Sequence, residues 1–583
     1  MRRSHYLRGA VFGTLSMTVL SAAPFTDTGS IYNQIKKNAQ RGIETRKHPK
    51  QKQTQKVVYS KKYLVRVNGF KVIGNDELSK AEMDRVLAPF IGREMATGEL
   101  VEAANALTAY YHKKGFFTAN VALIEPYILK NGIIVLVVDE RHLEKDGISV
   151  ENSGKRIKTE KVHKLWDNIM KPGAMKQGEF ERAMLLTNDL PGISAKADLY
   201  YGTEKNTDDL VVTVTDEDVF NGNVDIDNYG SYYTGRTQVA TTLYWNSPTG
   251  NGEEIVARLI TTGKYSNYGY IDFAVPVFDN GMRLGASFDY LDYELKHQEP
   301  GEGGDGTAWN ATAYLKYPVV RTEDFNVEVE LDYVHTKLKD YSLTDELDNS
   351  DIDKGVFRLS MNRSDEFMLN GISYLDIAVT TGDLTLNNAQ HKITDEKYYG
   401  SEGQFTKATF SLSRYQNLVG NFSSKISVDG QWASKNLDTS EKYFIGGPYS
   451  LAGYATGEFA GDNAAVFYAD LRYDFYKMPW GGDFQVSAFY SYGWLQIFKD
   501  ASTRDRIIDW YKPLDPIDNE LNLQTIGIGL SQTWSDTAVV RLTVGKQVGG
   551  DKHIKRPYND PSGLDYDQSD SDYRAWIEAI YYW

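Results

Sequence analysis

From Phe220 to Trp583 the chain alternates apolar and polar residues in short runs, among them QVATTLYWN, YIDFAVPV, RLGASFDYLDY, NVEVELDYVH, FQVSAFYSYGW and AVVRLTVGKQ. A two-residue period sends successive side chains to opposite faces, so each run predicts a β-strand with one apolar and one polar face. The connections are of two kinds. KMPWGGD and WSDT are short, whereas the stretches near 296–308, 341–353, 499–520 and 549–572 are long and acidic. Short turns at one end and long loops at the other are the pattern of an outer-membrane barrel, whose strands set apolar residues on lipid and polar ones on the lumen. Sixteen strands of about ten residues with uneven loops account for the length of this region, and a barrel of that size encloses an aqueous channel.

Upstream of Phe220 the periods are mixed. In YLVRVNGFKVIGNDELSKAEMDRVLAPFIGR, apolar residues at Leu64, Val65, Val67, Phe70 and Val72 predict a strand, and Ser79 is placed to cap the helix that follows. Leu100, Ala104, Leu107 and Tyr111 then recur at helical spacing, and Gly115 ends that helix as a C′ glycine. Strands over Ala119–Ile124 and Ile133–Asp139 follow, hinged at Lys130-Asn131-Gly132. The same order returns from Ile148 to about Thr215: a strand at ISVEN, helices over Lys161–Met170 and Glu179–Asp189, and strands over Ser194–Tyr200 and Asp209–Val214. Pro191 stops the second of these helices, because a residue before proline disfavours helical geometry. The fold class expected is therefore mainly β with α+β units: a 16-stranded antiparallel transmembrane barrel preceded by two small α+β domains.

The N-terminus, MRRSHYLRGAVFGTLSMTVLSAAPF, places Arg2, Arg3 and Arg8 before a short apolar run and small residues. That is the pattern of a secretory signal peptide, residues 1–23, with cleavage near Ala22 or Ala23. No later run of about twenty apolar residues provides a membrane-spanning helix. The 40 Tyr, 10 Trp and 50 Gly suit aromatic girdles and tight turns. The absence of Cys excludes disulfides, thiolate metal sites and cysteine nucleophiles, and the net charge of −15 argues against general nucleic-acid binding. The nine His show no metalloprotease spacing. Gly250-Asn251-Gly252 and Thr262-Gly263-Lys264 lack the strand-to-helix context of a phosphate loop. Asp565, Asp567, Asp570 and Asp572 read as a solvated acidic loop in preference to a calcium site. No metal, cofactor, nucleic acid or enzymatic activity is expected.

Two segments carry a resemblance. FERAMLLTNDLPGISAKADLYYG (Phe180–Gly202) runs into TDEDVFNGNVDIDNYGSYYTGR (Thr215–Arg236). Together they resemble the junction between the second periplasmic POTRA (polypeptide-transport-associated) domain and the first barrel strand of two-partner-secretion transporters, the TpsB family within the POTRA–barrel superfamily. YYHKKGF resembles the helix-to-strand corner of a POTRA domain. The resemblance implies a plug helix and basic linker over 24–62, for which a disordered leader is the alternative. It further implies POTRA domains over 63–143 and 144–216, and a barrel over 217–583 with a lumen loop at 436–463.

IGGPYSLAGYATGEFAGDNAAVFYADLRYDF (Ile445–Phe475) resembles the signature of that lumen loop, roughly GGP-x-S-V-R-G-Y followed by acidic G-E and G-D. Gly446, Gly447, Pro448, Ser450, Gly453, Tyr454, Gly457, Glu458, Gly461 and Asp462 match it. Leu451 replaces Val, and Ala452 stands where the family carries an arginine. The strand pattern F-x-D-x-G that supplies the arginine's partner corresponds to Phe489-Tyr490-Ser491-Tyr492-Gly493, with Ser491 in place of Asp. Deleting one partner of a buried ion pair costs about 3–5 kcal/mol, whereas replacing both is near neutral. Loss of both reads as compensated, with Tyr454, Glu458 and packing expected to hold the loop.

In the second POTRA domain the implied client-binding residues are Phe180, Met184, Leu185, Leu190 and Gly192, although Phe180, Met184 and Leu185 read more readily as simple core. The C-terminal SDYRAWIEAIYYW places Ile577, Ala579, Tyr581 and Trp583 toward lipid and Glu578 and Arg574 toward the lumen. Tyr581 and Trp583 resemble the signal read by the barrel-assembly machinery, with Trp in place of the usual final Phe. The family implies an outer-membrane pore of a Gram-negative bacterium, POTRA domains in the periplasm, acting as a monomer in lipid. It would pass one cognate unfolded exoprotein (a TpsA-type adhesin, cytolysin or contact-dependent toxin) to the surface. A protein-insertion barrel of the same superfamily and a passive porin are the alternatives.

Overall fold

The computed structural model describes residues 64–123, 128–129, 131–295, 304–341, 346–511, 518–535, 537–550 and 571–583. The expected signal peptide and the plug helix and linker lie outside them, as do the acidic residues 565–570.

Sixteen strands close into one antiparallel barrel. In chain order they are β1 (Phe220–Asp227), β2 (Gln238–Asn246), β3 (Glu254–Thr261), β4 (Ser266–Val277), β5 (Met282–Glu294), β6 (Asp305–Arg321), β7 (Phe325–Tyr341) and β8 (Glu346–Asp365). They continue with β9 (Gly371–Leu386), β10 (Gly403–Asn417), β11 (Phe422–Ala433), β12 (Asn463–Phe475), β13 (Asp483–Gln496), β14 (Glu520–Trp534), β15 (Ala538–Gly550) and β16 (Tyr573–Tyr582). Closure pairs β16 with β1 over Asn223↔Tyr582 to Asp227↔Glu578, and Gly222 and Trp583 exchange backbone hydrogen bonds at 3.1 Å just beyond it.

The alternation sorts as the two environments require. In β16, Ile577, Ala579 and Tyr581 face outward, while Trp576, Glu578 and Ile580 are buried inward. An outward aromatic row, Phe422–Tyr473–Phe475–Phe484, has successive ring centroids 4.8, 4.7 and 6.1 Å apart. It forms a girdle at one rim, where rings sit well between hydrocarbon and water.

Strand length departs from expectation. Strands of about ten residues were predicted with a loop at 341–353, but β8 has 20 residues and β7 and β8 stay paired up to Tyr341↔Glu346. At about 3.3 Å per residue, β8 far exceeds the roughly 30 Å hydrocarbon core. The ladder satisfies its own backbone in water as in lipid, so the polar composition marks the height above the membrane and does not mark a turn. Likewise 499–520 contains a helix, Ser502–Tyr511, and Asp305–Ala308 of the expected loop 296–308 belong to β6.

Two α+β units precede β1. In the first, Gly69–Ile73 lies parallel to Ile133–Asp139, which also pairs with Asn120–Ala122. Helices α1 (Lys80–Leu87) and α2 (Thr97–Lys113) cover the sheet. Ser79 and Glu82 form a reciprocal capping box on α1, and Leu100, Ala104, Leu107 and Tyr111 of α2 are buried. Gly115 follows α2 with φ +96°, the left-handed conformation that glycine takes without strain. In the second unit the strand order is Gly173–Ala174, His142–Asn152, Thr207–Asp216, Ile193–Tyr201. Helices α3 (Thr159–Ile169) and α4 (Gln177–Asn188) pack over it around buried Trp166. Among the described residues no helix is long and apolar enough to cross a membrane.

The second unit docks on three turns at one end of the barrel. Asp189 accepts two hydrogen bonds from Arg321, both 2.8 Å. Arg182 donates to the Pro318 carbonyl at 2.7 Å, Lys161 pairs with Asp279 at 2.7 Å, and Lys158 reaches Asn251 at 2.7 Å. Glycines make room at these turns. A Cβ on Gly252 would lie 2.8 Å from Leu190, and one on Gly281 would lie 2.7 Å from Leu186.

Candidate functional site

The connection from β11 to β12 starts at the end of the barrel opposite the α+β units and carries the segment expected at 436–463. Its limbs form a short hairpin, Tyr443–Ile445 against Phe459–Gly461, and Leu451–Ala464 are all buried. Tyr443, Phe444, Ile445, Leu451, Tyr454 and Phe459 share one core with inward residues of β12, β13 and β14, including Val466, Leu495 and Leu523. Gly446 has φ +112°, and its backbone lies so close to Ala455 that a side chain has no room.

The tip rests on a floor of two inward glycines, Gly493 of β13 and Gly545 of β15. A Cβ on Gly493 would sit 3.1 Å from Leu451, and one on Gly545 would sit 2.6 Å from the Ala452 carbonyl oxygen. Glycine costs stability in a strand; at Gly545 it lets the backbone of the tip approach, and at Gly493 it makes room for Leu451 and Ile445.

Ala452 has no group to pair with the wall, and the wall binds the backbone around it. Trp576 Nε1 donates to the Ala452 carbonyl at 2.7 Å, Gln547 Nε2 donates to the Gly453 carbonyl at 3.0 Å, and Gly453 N donates to Thr525 Oγ1 at 3.3 Å. Ala452 packs with Tyr229, Phe489 and Trp576. Ser491 lies directly across from Thr525; it is fully buried, and its Oγ has no hydrogen-bond partner among the described residues. Ala452 and Ser491 therefore meet one small patch of wall around Thr525, where wall side chains bind the backbone of the tip. Beside them, Tyr449 donates to Glu578 at 3.0 Å, Glu578 pairs with Arg541 at 2.6 Å, and Thr456 donates to the Tyr229 carbonyl at 2.9 Å.

Tyr454, expected with Glu458 to hold the loop, packs in the core shared with β12, β13 and β14. Tyr454 stacks edge-on to Phe459, and Glu458 accepts from Ala455 N at 2.7 Å. Pro448 and Ser450 sit in the turn between the hairpin limbs. At the loop's base Asp462 accepts from Leu437 N and Lys499 N at 3.1 and 2.7 Å. Replacing Trp576 by Phe preserves the ring packing and removes one donor. It is expected to weaken the tip contact by about 1 kcal/mol, seen as more frequent openings in planar-bilayer recordings.

The outer ends of the strands carry a cap that the sequence did not announce. A helix α5 (Ala389–Thr394) and Asp395–Tyr399 lie between β9 and β10, and α6 (Ser502–Tyr511) lies between β13 and β14. Asn436 bridges them, donating to the Tyr399 carbonyl and to Thr503 Oγ1 at 2.6 and 2.7 Å. Burial works against charge on His391, but the Asp348 carboxylate 2.6 Å away, with Asp438 and Asp395 near, carries its pKa up to about 9. It is a cation at neutral pH and ties α5 to β8.

At the other end, Leu190 and Gly192, expected at a client groove, are buried in the joint against Gly252 and Asn246. Phe180 fills the seam between the two α+β units, 5.5 Å from Phe117 and 5.8 Å from Trp166. Met184 and Leu185 are half-buried. The apolar surface left open is on the edge strand Ile193–Tyr201, paired on one side only with Thr207–Asp216, where Leu199, Tyr200 and Tyr201 are exposed. Tyr581 faces outward in the closure seam across from Val224, and the Trp583 ring covers Gly222.

Comparison with known proteins agrees with this geometry. Residues 206–508 match the haemolysin secretion/activation protein family ShlB/FhaC/HecB, and residues 65–140 match the ShlB-type POTRA domain. The heme/hemopexin transporter protein HuxB of Haemophilus influenzae is 23% identical over 82% of this chain and 83% of its own length. The outer membrane transporter CdiB of Escherichia coli is 22% identical over 74% and 73%. In structure, CdiB from Escherichia coli superposes with a TM-score of 0.69 at 18% identity, covering 91% of this chain and 93% of that one. BamA from Haemophilus ducreyi lacking POTRA domains 1–3 gives 0.53 at 13%, covering 89% and 100%. A closed sixteen-stranded barrel, a POTRA domain before it and the family match over residues 206–508, which include thirteen of the barrel strands, together make this chain a member of the ShlB/FhaC/HecB family, the two-partner-secretion transporters that carry an exoprotein across the outer membrane.

Proposed function

We propose that the second α+β unit is a POTRA domain that takes up one cognate exoprotein on the edge strand Ile193–Tyr201. The observation that carries this reading is that open edge, held on a fixed joint beneath the barrel. Its unpaired N–H and C=O groups can bind an extended client as an added strand, while Leu199, Tyr200 and Tyr201 offer apolar contact. The client then enters the barrel unfolded, and the loop tip on Gly493 and Gly545 acts as the gate it must displace. Folding outside supplies direction without nucleotide. The barrel works as a monomer surrounded by lipid, after assembly by a machinery that reads Tyr581 and Trp583, and no chemistry is performed on the client.

The test is co-expression with the N-terminal secretion domain of the cognate exoprotein, measuring its arrival in the medium or on the surface with and without residues 63–216. Export that needs those residues is the expected result. Absence of export from the intact transporter, alongside steady uptake of small solutes, overturns the reading and leaves a porin or an insertion barrel.

A further inference from the structure

The lumen loop is held at a second place, which no sequence motif marks. Glu441 closes a single 3-10 turn, Thr439–Glu441, just before the loop hairpin, and it is 1% exposed. Its carboxylate pairs with Lys407 of β10 at 2.7 Å and with Lys354 of β8. Its carbonyl oxygen accepts from Lys407 Nζ at 2.8 Å and from Gln431 Nε2 of β11 at 3.2 Å. The tip, by contrast, is bound by β14, β15 and β16. In a closed ring of sixteen strands, β8 and β16 stand opposite one another. The segment from Glu441 to Thr456 therefore runs from the β8–β10 side, over the inward residues of β12 to β14, to β15 and β16.

We propose that Glu441, with Lys354 and Lys407, is the mooring that holds the lumen loop across the pore. Other inward ion pairs, such as Arg258–Asp225 at 2.9 Å and Arg358–Glu330 at 2.8 Å, join strand to strand; those of Glu441 join the loop to the wall. The chemistry makes the mooring strong when intact and unstable when broken. The carboxylate of Glu441 sits between two like charges on one wall, so removing it leaves the Lys354 and Lys407 ammonium groups to repel one another. Water drawn in to solvate them enters at the loop's root. Glu441 is thus a positioning residue for the gate. Its part in translocation rests on the secretion reading above, whereas the mooring itself does not.

The experiment uses the full-length transporter in intact cells, without client. The chain has no Cys, so Ser450→Cys supplies a unique thiol at the tip. Ser450 is buried and its Oγ makes no hydrogen bond among the described residues, so the exchange removes none. The rate of reaction with a membrane-impermeant maleimide reports how often the tip leaves the wall. Glu441→Gln is expected to raise that rate at least about tenfold, since tenfold corresponds to about 1.4 kcal/mol and losing one partner of a buried pair exceeds that. Lys354→Met, which leaves the Lys407 contact, is expected to give a smaller rise. Heat-modifiable mobility on gels establishes that each barrel is folded. An unchanged rate in folded Glu441→Gln overturns the mooring, as does an unchanged rate in folded Lys354→Met should Glu441→Gln fail to assemble. Export is scored separately in the same strains with client present: failure of export by the unmodified transporter refutes the secretion reading and leaves the labelling result standing.

Discussion

Gly545→Ala is expected to push the loop tip off the wall and leave the pore leaky while the barrel still assembles. Gly545 lies in β15 between Gly527 and Arg574 on the inner face, outside the left-handed region, so alanine fits the strand. The added methyl would lie 2.6 Å from the Ala452 carbonyl oxygen and 2.7 Å from Gly453 N. Both are backbone atoms in a hairpin tip, so no rotamer change relieves the overlap. Overpacking of this kind costs about 1–3 kcal/mol. The displaced tip also loses its bonds from Trp576 and Gln547, each worth about 1 kcal/mol. The sum, roughly 3–5 kcal/mol, shifts the closed–open balance by a factor of roughly 10²–10⁴. Planar-bilayer conductance and uptake of a bulky antibiotic measure it. A folded Gly545→Ala barrel with unmodified conductance would show that the tip does not close the lumen.

The barrel was legible because lipid and lumen impose opposite demands on alternate residues, and that alternation survives in strands such as FQVSAFYSYGW without any knowledge of their partners. The same rule misled at 341–353. There, inward Leu338 and Ile352 are buried, but their outward neighbours Lys337 and Asp351 face water and pair with one another, so the run resembled a loop. The loop itself was placed from its Gly-rich segment, and Ala452 and Ser491 were singled out as small residues. What holds the tip was not legible. Trp576 and Gln547 bind backbone carbonyls, which every residue has, and an acceptor without a side chain leaves no trace in sequence. Glu441 escaped for a related reason: its lysines lie 34 and 87 residues away, and only closure of the barrel brings β8 and β10 to it. The glycines of the floor were visible as residues, but their purpose depends on a loop that descends from another part of the chain. Leu190 and Gly192 were client contacts only as the resemblance implied a groove there; the fold buries them in the joint against Gly252 and Asn246.

The joint supplies the complementary experiment, for Gly281→Ala is expected to free the second α+β unit from the barrel without opening the pore. Gly281 sits in the turn after β4 with φ +92°, and a Cβ there would lie 2.7 Å from Leu186 of α4 and 2.9 Å from Pro318. Left-handed backbone costs a residue with a Cβ about 1–2 kcal/mol. Overlap with two packed side chains adds about 1–3 kcal/mol. The turn must then withdraw from α4, and the Lys161–Asp279 pair two residues away goes with it. Arg321→Ala removes the bidentate contact to Asp189 and, because that pair is partly exposed, is expected to cost only about 1 kcal/mol. Protease cutting between residues 202 and 220 should rise in Gly281→Ala, export should fall severalfold, and conductance should remain that of the closed pore. Gly545→Ala should give the reverse: a leaky pore with the joint intact. If capture and gating are separate functions of the two ends of the barrel, the two variants part in this way. Should Gly281→Ala export normally despite a cut-sensitive joint, a flexible tether suffices for delivery, and the rigid placement of the edge strand is not what directs the client into the lumen.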